Sequence, residues 1–190
     1  MDIFSYVITH DSGFAPNPFG GVLSLATCKP IIRKSANIND FIVGTGSKSG
    51  IGNGKLVFAG KISEVLELAE YGKSSVFDFK IPKARGNWWD KHGDNIYYLK
   101  NSSWVQRRNI HHGSKDMEHD LGGMNVLLCR DYWYFGDSAI TIPYHLVSIV
   151  KMGPGHKRIK DKALVRNFLS WLKELPKGIN GRPCMEPLNK

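Results

Sequence analysis

Short runs of β-branched and aromatic residues alternate with glycine- and proline-rich turns along the first 65 residues of the chain. Residues 3–9 predict a first strand, and residues 41–44 predict a short buried strand. Residues 56–65 predict the clearest strand, with a β-bulge at Gly60. Because only a glycine-rich loop, residues 44–55, joins the last two strands, we expect them to form an antiparallel pair.

The remaining pattern predicts a polar excursion, a central strand and a final helix. Residues 72–122 show no sustained hydrophobic period, which favours an insertion within a single domain over residues 1–190. Residues 125–129 predict a central strand. After a predicted N-cap at Asp161, apolar residues recur at helical spacing until Pro176. The sequence therefore predicts an α+β domain that carries a C-terminal amphipathic helix.

Charge adds a preference for a class of partner. The chain has 26 lysines and arginines against 17 acidic residues, a net charge of +9, and its pI is about 9.5. Such an excess favours a polyanion, because phosphate neutralisation releases counterions. A generic basic surface is the alternative.

Cysteine usage and hydropathy bear on the compartment. The three cysteines are widely spaced and form neither a disulfide framework nor a Cys-x-x-Cys metal pair, which favours a reducing compartment. No run approaches the length of a membrane span, and the first residues do not resemble a signal peptide. We therefore expect a cytoplasmic protein without a membrane partner.

The glycine-rich loop does not match a known phosphate-binding fingerprint. A Walker loop requires glycine where Ser49 stands, five residues before Gly54, and serine or threonine where Leu56 stands. The dinucleotide fingerprint requires glycine at position 49 as well. The loop therefore predicts either a plain hairpin or a mobile segment whose Lys48 and Lys55 meet a phosphate.

Two segments carry histidines that could support chemistry. His10 and Asp11, at the end of the first strand, resemble a general acid–base corner. No serine or cysteine nucleophile is marked by a G-x-S-x-G elbow. A second group of titratable residues lies within ten positions: His111, His112, Asp116, His119 and Asp120. Because their spacing matches no metal-ligand pattern, a solvated polar loop is preferred, and no metal or other cofactor is predicted.

Aromatic and basic side chains favour nucleic acid as the polyanion. Residues 132–135 alternate faces on a predicted strand, so some rings could stack on a flipped or single-stranded base. Ordinary core packing is the alternative for these rings. The basic residues at 107–108 and 157–158 could contact phosphates or form a solvated face.

Residues 6–21 and 25–33 resemble the nucleotide modification associated domain 2 family. Further matches run through nearly the whole chain, at residues 40–47, 93–97, 134–136 and 153–156. That family is known mainly from prokaryotic and phage gene neighbourhoods linked to DNA base modification. The resemblance implies DNA rather than RNA as ligand, with base-modification or defence proteins as further partners.

A more distant similarity links residues 39–43 and 56–62 to PUA-like barrels, including EVE-like and YTH readers of modified bases. It implies a small mixed β-barrel with peripheral helices and a base pocket at one end. The residues expected in this pocket are Tyr6, Thr9, His10, Phe14, Asn17, Gly46, Ser47, Asp131 and Trp133. The residues expected on phosphates are Arg33, Lys48, Lys55, Arg107, Arg108, Lys157 and Arg158.

Three hypotheses of function follow. The main hypothesis is a nucleic-acid-binding module that recognises a modified base in DNA, and not a catalyst. The alternative is an enzyme that acts on a nucleotide or DNA base through His10 and Asp11. The third is an interaction subunit whose basic face docks on a partner protein.

Overall fold

The computed structural model describes residues 1–184 as short strands and a few short helices. The strands are β1 (Ile3–Ile8), β2 (Leu23–Leu25), β3 (Phe41–Gly46), β4 (Lys55–Lys61), β5 (Glu64–Glu67), β6 (Tyr97–Lys100), β7 (Ser103–Gln106), β8 (Asn125–Cys129), β9 (Asp131–Tyr134), β10 (Ile140–Thr141), β11 (His156–Ile159) and β12 (Gly178–Ile179). The α-helices are α1 (Pro30–Ser35), α2 (Leu68–Lys73), α3 (Met117–Leu121) and α4 (Lys162–Lys173). The predicted α+β class is confirmed.

The chain divides into two compact units. Unit 1 comprises residues 1–12, 38–62 and the described residues from 130 onward, and unit 2 comprises residues 13–37 and 63–129. The polar excursion predicted at residues 72–122 belongs to unit 2, where it contributes β6, β7 and α3.

Unit 1 is built on a seven-stranded mixed sheet with the order β11-β1-β3-β4-β9-β12, in which β10 also pairs with β4. The pairs β1–β3 and β9–β12 are parallel, whereas β4 runs antiparallel to both β3 and β9. The carboxyl ends of β1, β3, β9 and β12 therefore lie at the same edge of the sheet.

The small barrel predicted from the sequence is not closed. Within residues 1–184, β11 and β12 form the two outer edges of the unit 1 sheet and pair with no further strand there. The strand β12 is only two residues long, so it offers little backbone for a further pairing. The sheets of unit 2 are open as well.

The predicted antiparallel pair of β3 and β4 is confirmed, but its irregularity lies elsewhere than expected. The register shifts between Gly44 and Thr45, while Gly60 stays in regular register with Ile42. A Cβ atom on Gly44 would lie 2.1 Å from the ring of Phe58. The ring of Phe58 thus packs against the backbone of Gly44 at the point where the regular pairing of β3 and β4 is interrupted.

The C-terminal helix α4 covers the core of unit 1. Its N-cap is Asp161, as predicted, whose carboxylate accepts hydrogen bonds from the backbone N–H groups of Ala163 (2.8 Å) and Leu164 (3.0 Å). Phe168 and Leu172 are buried in the same cluster of apolar side chains. Over residues 1–184, no helix combines the length and the hydropathy needed to cross a bilayer.

Unit 2 contains the antiparallel sheet β2-β8-β5 and the separate hairpin β6–β7. The prediction that residues 125–129 form a central strand is confirmed by β8. An ionisable network is buried beside the apolar core. The Lys80 ammonium donates to Asn17 Oδ1 (2.6 Å) and to the carbonyl of Val22 (2.7 Å), and Asp94 accepts from the Tyr71 hydroxyl (2.7 Å). Burial lowers the pKa of Lys80 to about 8.

Candidate functional site

A pocket of about 470 Å³ lies in unit 1 at the edge of the sheet where the parallel strands end. It is lined by Ile8, Thr9, His10, Asp11, Gly50, Ile51, Val57, Asp137 and Cys184. These residues come from the end of β1, the β3–β4 loop, the start of β4, and the segments that follow β9 and β12. Since the four strands point the same way, their following segments meet at one edge, where ligands bind in many sheets with parallel strands.

The pocket combines apolar walls with a few polar groups. Ile8, Ile51 and Val57 supply the apolar surface, while His10 is exposed and Asp11 is buried. Its volume falls within the range of about 300–1,000 Å³ that small-molecule sites occupy. The arrangement suits a flat ligand with polar edges.

The Asp11 carboxylate is held in a fixed orientation. The Tyr134 hydroxyl donates to Oδ1 at 2.5 Å, and the backbone N–H of Cys184 donates to Oδ2 at 3.4 Å. Burial, together with the negative charge of Asp11, raises the pKa of Cys184 to about 12 and that of Tyr134 well above its ordinary value. The Tyr134 hydroxyl and the Cys184 thiol, whose Sγ also lies 3.5 Å from Oδ2, therefore keep their protons and donate to Asp11.

The glycine-rich loop forms one wall of the pocket and places a buried hydroxyl beside it. Ser47 is 5% exposed, and its Oγ has no hydrogen-bond partner among the described residues. This oxygen lies 2.9 Å from the position that a Cβ atom on Gly50 would take. The loop is tight at Gly46, where a Cβ atom would lie 2.3 Å from the carbonyl oxygen of Gly52. Lys48 is exposed on the same loop.

Some of the predicted base-pocket residues lie together, and others do not. Trp133 is 4% exposed in the unit 1 core, and its Nε1 donates to the carbonyl of Leu175 at 3.1 Å. Asp131 is exposed at the other end of β9 and pairs with Lys177 at 2.6 Å. Tyr6 is fully buried. The predicted residues that line the pocket or belong to its glycine-rich loop are Thr9, His10, Gly46 and Ser47.

Phe14 and Asn17, the other two predicted pocket residues, belong to unit 2. The ring of Phe14 stacks on His111 with centroids 4.4 Å apart. The side chain of Asn17 is buried, donates to the carbonyl of His92 and accepts from Lys80.

The predicted phosphate-binding residues differ in accessibility. Arg33 is fully buried and donates to the carbonyl oxygens of Cys28 (2.8 Å) and Asn125 (2.8 Å), and burial lowers its pKa. Arg107 donates to the carbonyl of Gly72 at 3.0 Å. Lys55 is half-buried at the start of β4. The predicted residues that remain exposed are Lys48, Arg108, Lys157 and Arg158.

Positive charge is concentrated in unit 1. The described residues of this unit carry 13 of the 26 lysines and arginines but 7 of the 17 acidic residues, so they account for 6 of the 9 excess charges. Lys157 and Arg158 lie on the edge strand β11, where Arg158 also pairs with Asp2 at 2.6 Å. The unit that contains the pocket therefore also contributes most of the attraction for a polyanion.

The second histidine segment is not the solvated loop that its composition suggested. His112 Nδ1 lies 2.6 Å from the buried Asp120 carboxylate, and His112 Nε2 lies 3.5 Å from Cys28 Sγ. His111 Nε2 lies 2.9 Å from His92 Nδ1. In the part of the chain that the structure covers, no group of three or more His, Cys, Asp or Glu residues could hold a metal ion.

No motif in the sequence marks Cys28 as a candidate nucleophile. The thiol lies 84 positions away from His112, and no elbow motif surrounds it. Because the chain has three cysteines, the presence of histidines and aspartates does not distinguish Cys28 from the other two, and only the fold brings it to His112.

The fold and the pocket define a mixed α+β protein with a ligand-sized pocket at the carboxyl ends of its parallel strands. A family model described as nucleotide modification associated domain 2 matches residues 1–190. The chain therefore belongs to the nucleotide modification associated domain 2 family. No curated protein and no solved structure matches the chain.

Proposed function

We propose that the unit 1 pocket receives a single modified base of DNA, and that the protein recognises this base within a base-modification or defence system. The observation that carries the proposal is the meeting of apolar walls and a fixed carboxylate in one cavity, with the unpartnered hydroxyl of Ser47 buried in the loop that forms one of its walls. A base presents two apolar faces and a polar edge, and this lining complements both.

Access to the pocket requires that the base leave its stack. Extrusion costs a few kcal/mol, and the cost is smaller for a damaged, modified or unpaired base. Ile8, Ile51 and Val57 would cover the faces of the base. Asp11 would accept a hydrogen bond from its edge, and Ser47 would supply a donor that folding leaves unused.

Exposed cations of unit 1 would contact the phosphates on either side. Lys48 is on the loop that forms one wall of the pocket, and Lys157 and Arg158 are on β11. Such contacts position a nucleic acid without reading its sequence, so they would add affinity to every oligonucleotide equally. In this proposal the open unit 1 sheet takes the part that the barrel plays in PUA-like and EVE-like readers.

Thr9→Trp tests the pocket because Thr9 is an exposed lining residue whose replacement by tryptophan fills the cavity without changing charge. Binding is measured by fluorescence anisotropy with matched oligonucleotides, unmodified and carrying a panel of modified bases, over a salt series. The wild type should prefer one modification at every salt concentration. Thr9→Trp should lose this preference and keep the salt-dependent binding.

Ser170→Trp is the matched control, since Ser170 is an exposed residue of unit 1 on α4 and lies outside the pocket lining. It should keep both the preference and the salt dependence. A preference that survives in Thr9→Trp would place recognition elsewhere, and a wild type without any preference would leave only charge-driven binding.

A further inference from the structure

Three side chains of unit 2 form a connected chain from a buried carboxylate to a half-exposed thiol. Asp120 Oδ2 lies 2.6 Å from His112 Nδ1, and His112 Nε2 lies 3.5 Å from Cys28 Sγ. The imidazole thus uses one ring nitrogen for each neighbour. A carboxylate, an imidazole and a nucleophile in this order are the components of a catalytic triad.

The carboxylate end of this chain is held rigidly. Asp120 Oδ1 accepts the backbone N–H of Cys28 at 2.6 Å, and Oδ2 also accepts the Tyr97 hydroxyl at 2.8 Å. The guanidinium of Arg33 donates to the backbone carbonyl of Asp120. Asp120 therefore contacts both ends of the triad and cannot rotate away from His112 without losing these bonds.

His112 is held both through its backbone and through a contact to one side of its ring. Asn109 Oδ1 accepts the backbone N–H of His112 at 2.7 Å, and Gln106 donates to the carbonyl of His112 at 2.9 Å. The ring of Phe14 packs edge-on against His112, with centroids 4.9 Å apart. These contacts orient Nε2 toward the thiol.

The backbone at the thiol is strained. Cys28 and Lys29 both adopt left-handed conformations, with φ of 56° and 42°, although neither is glycine. The Arg33 Nε–H donates to the Cys28 carbonyl at 2.8 Å and holds this turn. Strained non-glycine residues cluster at functional sites, where the surrounding structure keeps them in place.

The charges around His112 favour its protonated form. Burial alone would lower the pKa of His112, but the hydrogen bonds and charges of Asp120 and Cys28 prevail and raise it to about 10. The neighbouring His111 is neutral at pH 7, because burial and the charges of His92 and His112 lower its pKa to about 4. A protonated His112 donates a hydrogen bond through Nε2 to Cys28 Sγ, 3.5 Å away, and carries a proton that a leaving group can take.

We propose that Cys28 and His112 are catalytic residues for acyl transfer, with Asp120 as the residue that positions the imidazole. The thiolate of Cys28 attacks the carbonyl carbon of an ester or amide and forms a C–S bond. The bond from that carbon to the leaving group breaks, and the leaving group takes a proton from His112. Water then attacks the thioester and gives a proton to His112, which releases the acid and restores the thiolate.

The surroundings favour an anionic substrate. A shallow cavity of about 510 Å³ is lined by Pro30, Ile31, Lys34, Lys115, Glu118, His119 and Gly122. Its lining begins two residues after Cys28 and includes the two residues before Asp120. Neither Cys28 nor His112 lines this cavity, so it would hold a remote group of the acyl compound, and the excess of Lys34 and Lys115 over Glu118 favours a phosphate or carboxylate there.

The first test is the pH dependence of Cys28 alkylation by iodoacetamide, followed by peptide mass spectrometry of the full-length protein. An ordinary thiol has a pKa near 8.5, so its rate rises about 100-fold from about pH 6 to about pH 8. The rate at Cys28 should change much less over this range. A rise like that of an ordinary thiol would overturn the proposal, and this measurement needs no variant.

The second test compares the wild type with His112→Gln and Asp120→Asn at about pH 6. A thiolate held by a histidinium reacts faster at this pH than an ordinary thiol, by about tenfold once its lower nucleophilicity is included. Both variants should lose this advantage and regain the steep pH profile. Equal rates and profiles in the three proteins would refute the roles of His112 and Asp120.

The third test uses p-nitrophenyl acetate as an acyl donor. The wild type should release p-nitrophenol in a burst and carry one acetyl group on Cys28, and Cys28→Ser should show neither. Cys184 is the internal control, since its pKa is raised to about 12 and its thiol should stay unmodified in the same sample. An acetyl group found on Cys184 instead of Cys28 would refute the assignment.

Discussion

Ser47→Ala is expected to stabilise the free protein while weakening its complex with the base. The hydroxyl of Ser47 is buried without a partner within residues 1–184. A buried polar group of this kind costs about 1–3 kcal/mol, of which removal of the oxygen recovers a part. The free energy of unfolding should therefore increase by about 1 kcal/mol.

The same oxygen should matter in the opposite sense for binding. If it donates to the edge of the base, its loss removes one neutral hydrogen bond, which is worth about 0.5–1.5 kcal/mol. The affinity for the preferred oligonucleotide should fall about 2- to 12-fold, while the affinity for an unmodified oligonucleotide stays closer to its original value.

Ser5→Ala provides a matched control from the same sheet. Ser5 is also buried with a hydroxyl that has no partner in the described part of the chain, but it lies in the middle of β1 and not on the loop that forms a wall of the pocket. It should stabilise the protein like Ser47→Ala and leave binding unchanged. Urea unfolding and fluorescence anisotropy measure the two effects. Equal binding by the wild type and Ser47→Ala would remove this hydroxyl from the recognition site.

Two further predictions concern the cores of the units. Trp133→Ala should lower the free energy of unfolding by about 3–5 kcal/mol, because it empties a packed site, and leave the ratio of affinities for modified and unmodified DNA unchanged. If the variant is fully folded and this ratio of affinities changes, Trp133 belongs to the recognition site after all. In unit 2, burial lowers the pKa of Lys80 to about 8, whereas a lysine in the unfolded chain has a pKa near 10.4. Between about pH 8 and 10 the unfolded chain therefore binds more protons than the folded chain. Wild-type stability in urea should thus rise with pH more steeply than that of Lys80→Met, by up to about 1.4 kcal/mol per pH unit, and equal slopes would contradict the lowered pKa.

Local patterns predicted the elements of this fold because local interactions form them. The β-branched and aromatic residues of β1 and the Asp161 cap of α4 depend on neighbours within a few positions. Thr9 and His10 could be placed near the pocket because turns after strands carry exposed polar groups. The sequence also indicated the antiparallel pairing of β3 and β4, which depends on one short loop.

The remaining features depend on contacts between distant parts of the chain. Cys184 reaches the pocket because the two-residue strand β12 pairs with β9. A strand of two residues is too short to show a hydrophobic period, so the sequence pattern could not predict it. The prediction placed Trp133 in the pocket because alternation shows that a strand has two faces. Alternation does not show which of the two faces is buried by the rest of the protein. All four rings of residues 132–135 are buried, so both faces of this strand pack against protein.

The members of the Cys28–His112–Asp120 chain differ in exposure in a way that separates a supporting role from a reacting one. Asp120 is fully buried and held by three hydrogen bonds of 2.6 to 2.8 Å, whereas the thiol contacts His112 at 3.5 Å, an ordinary length for a hydrogen bond to sulfur, and is half-exposed. If the network served folding alone, its last member would be buried and saturated, because an unsatisfied buried group lowers stability. Cys28 is instead half-exposed on a strained turn, so the one member of the chain that would react is the one that a substrate can reach.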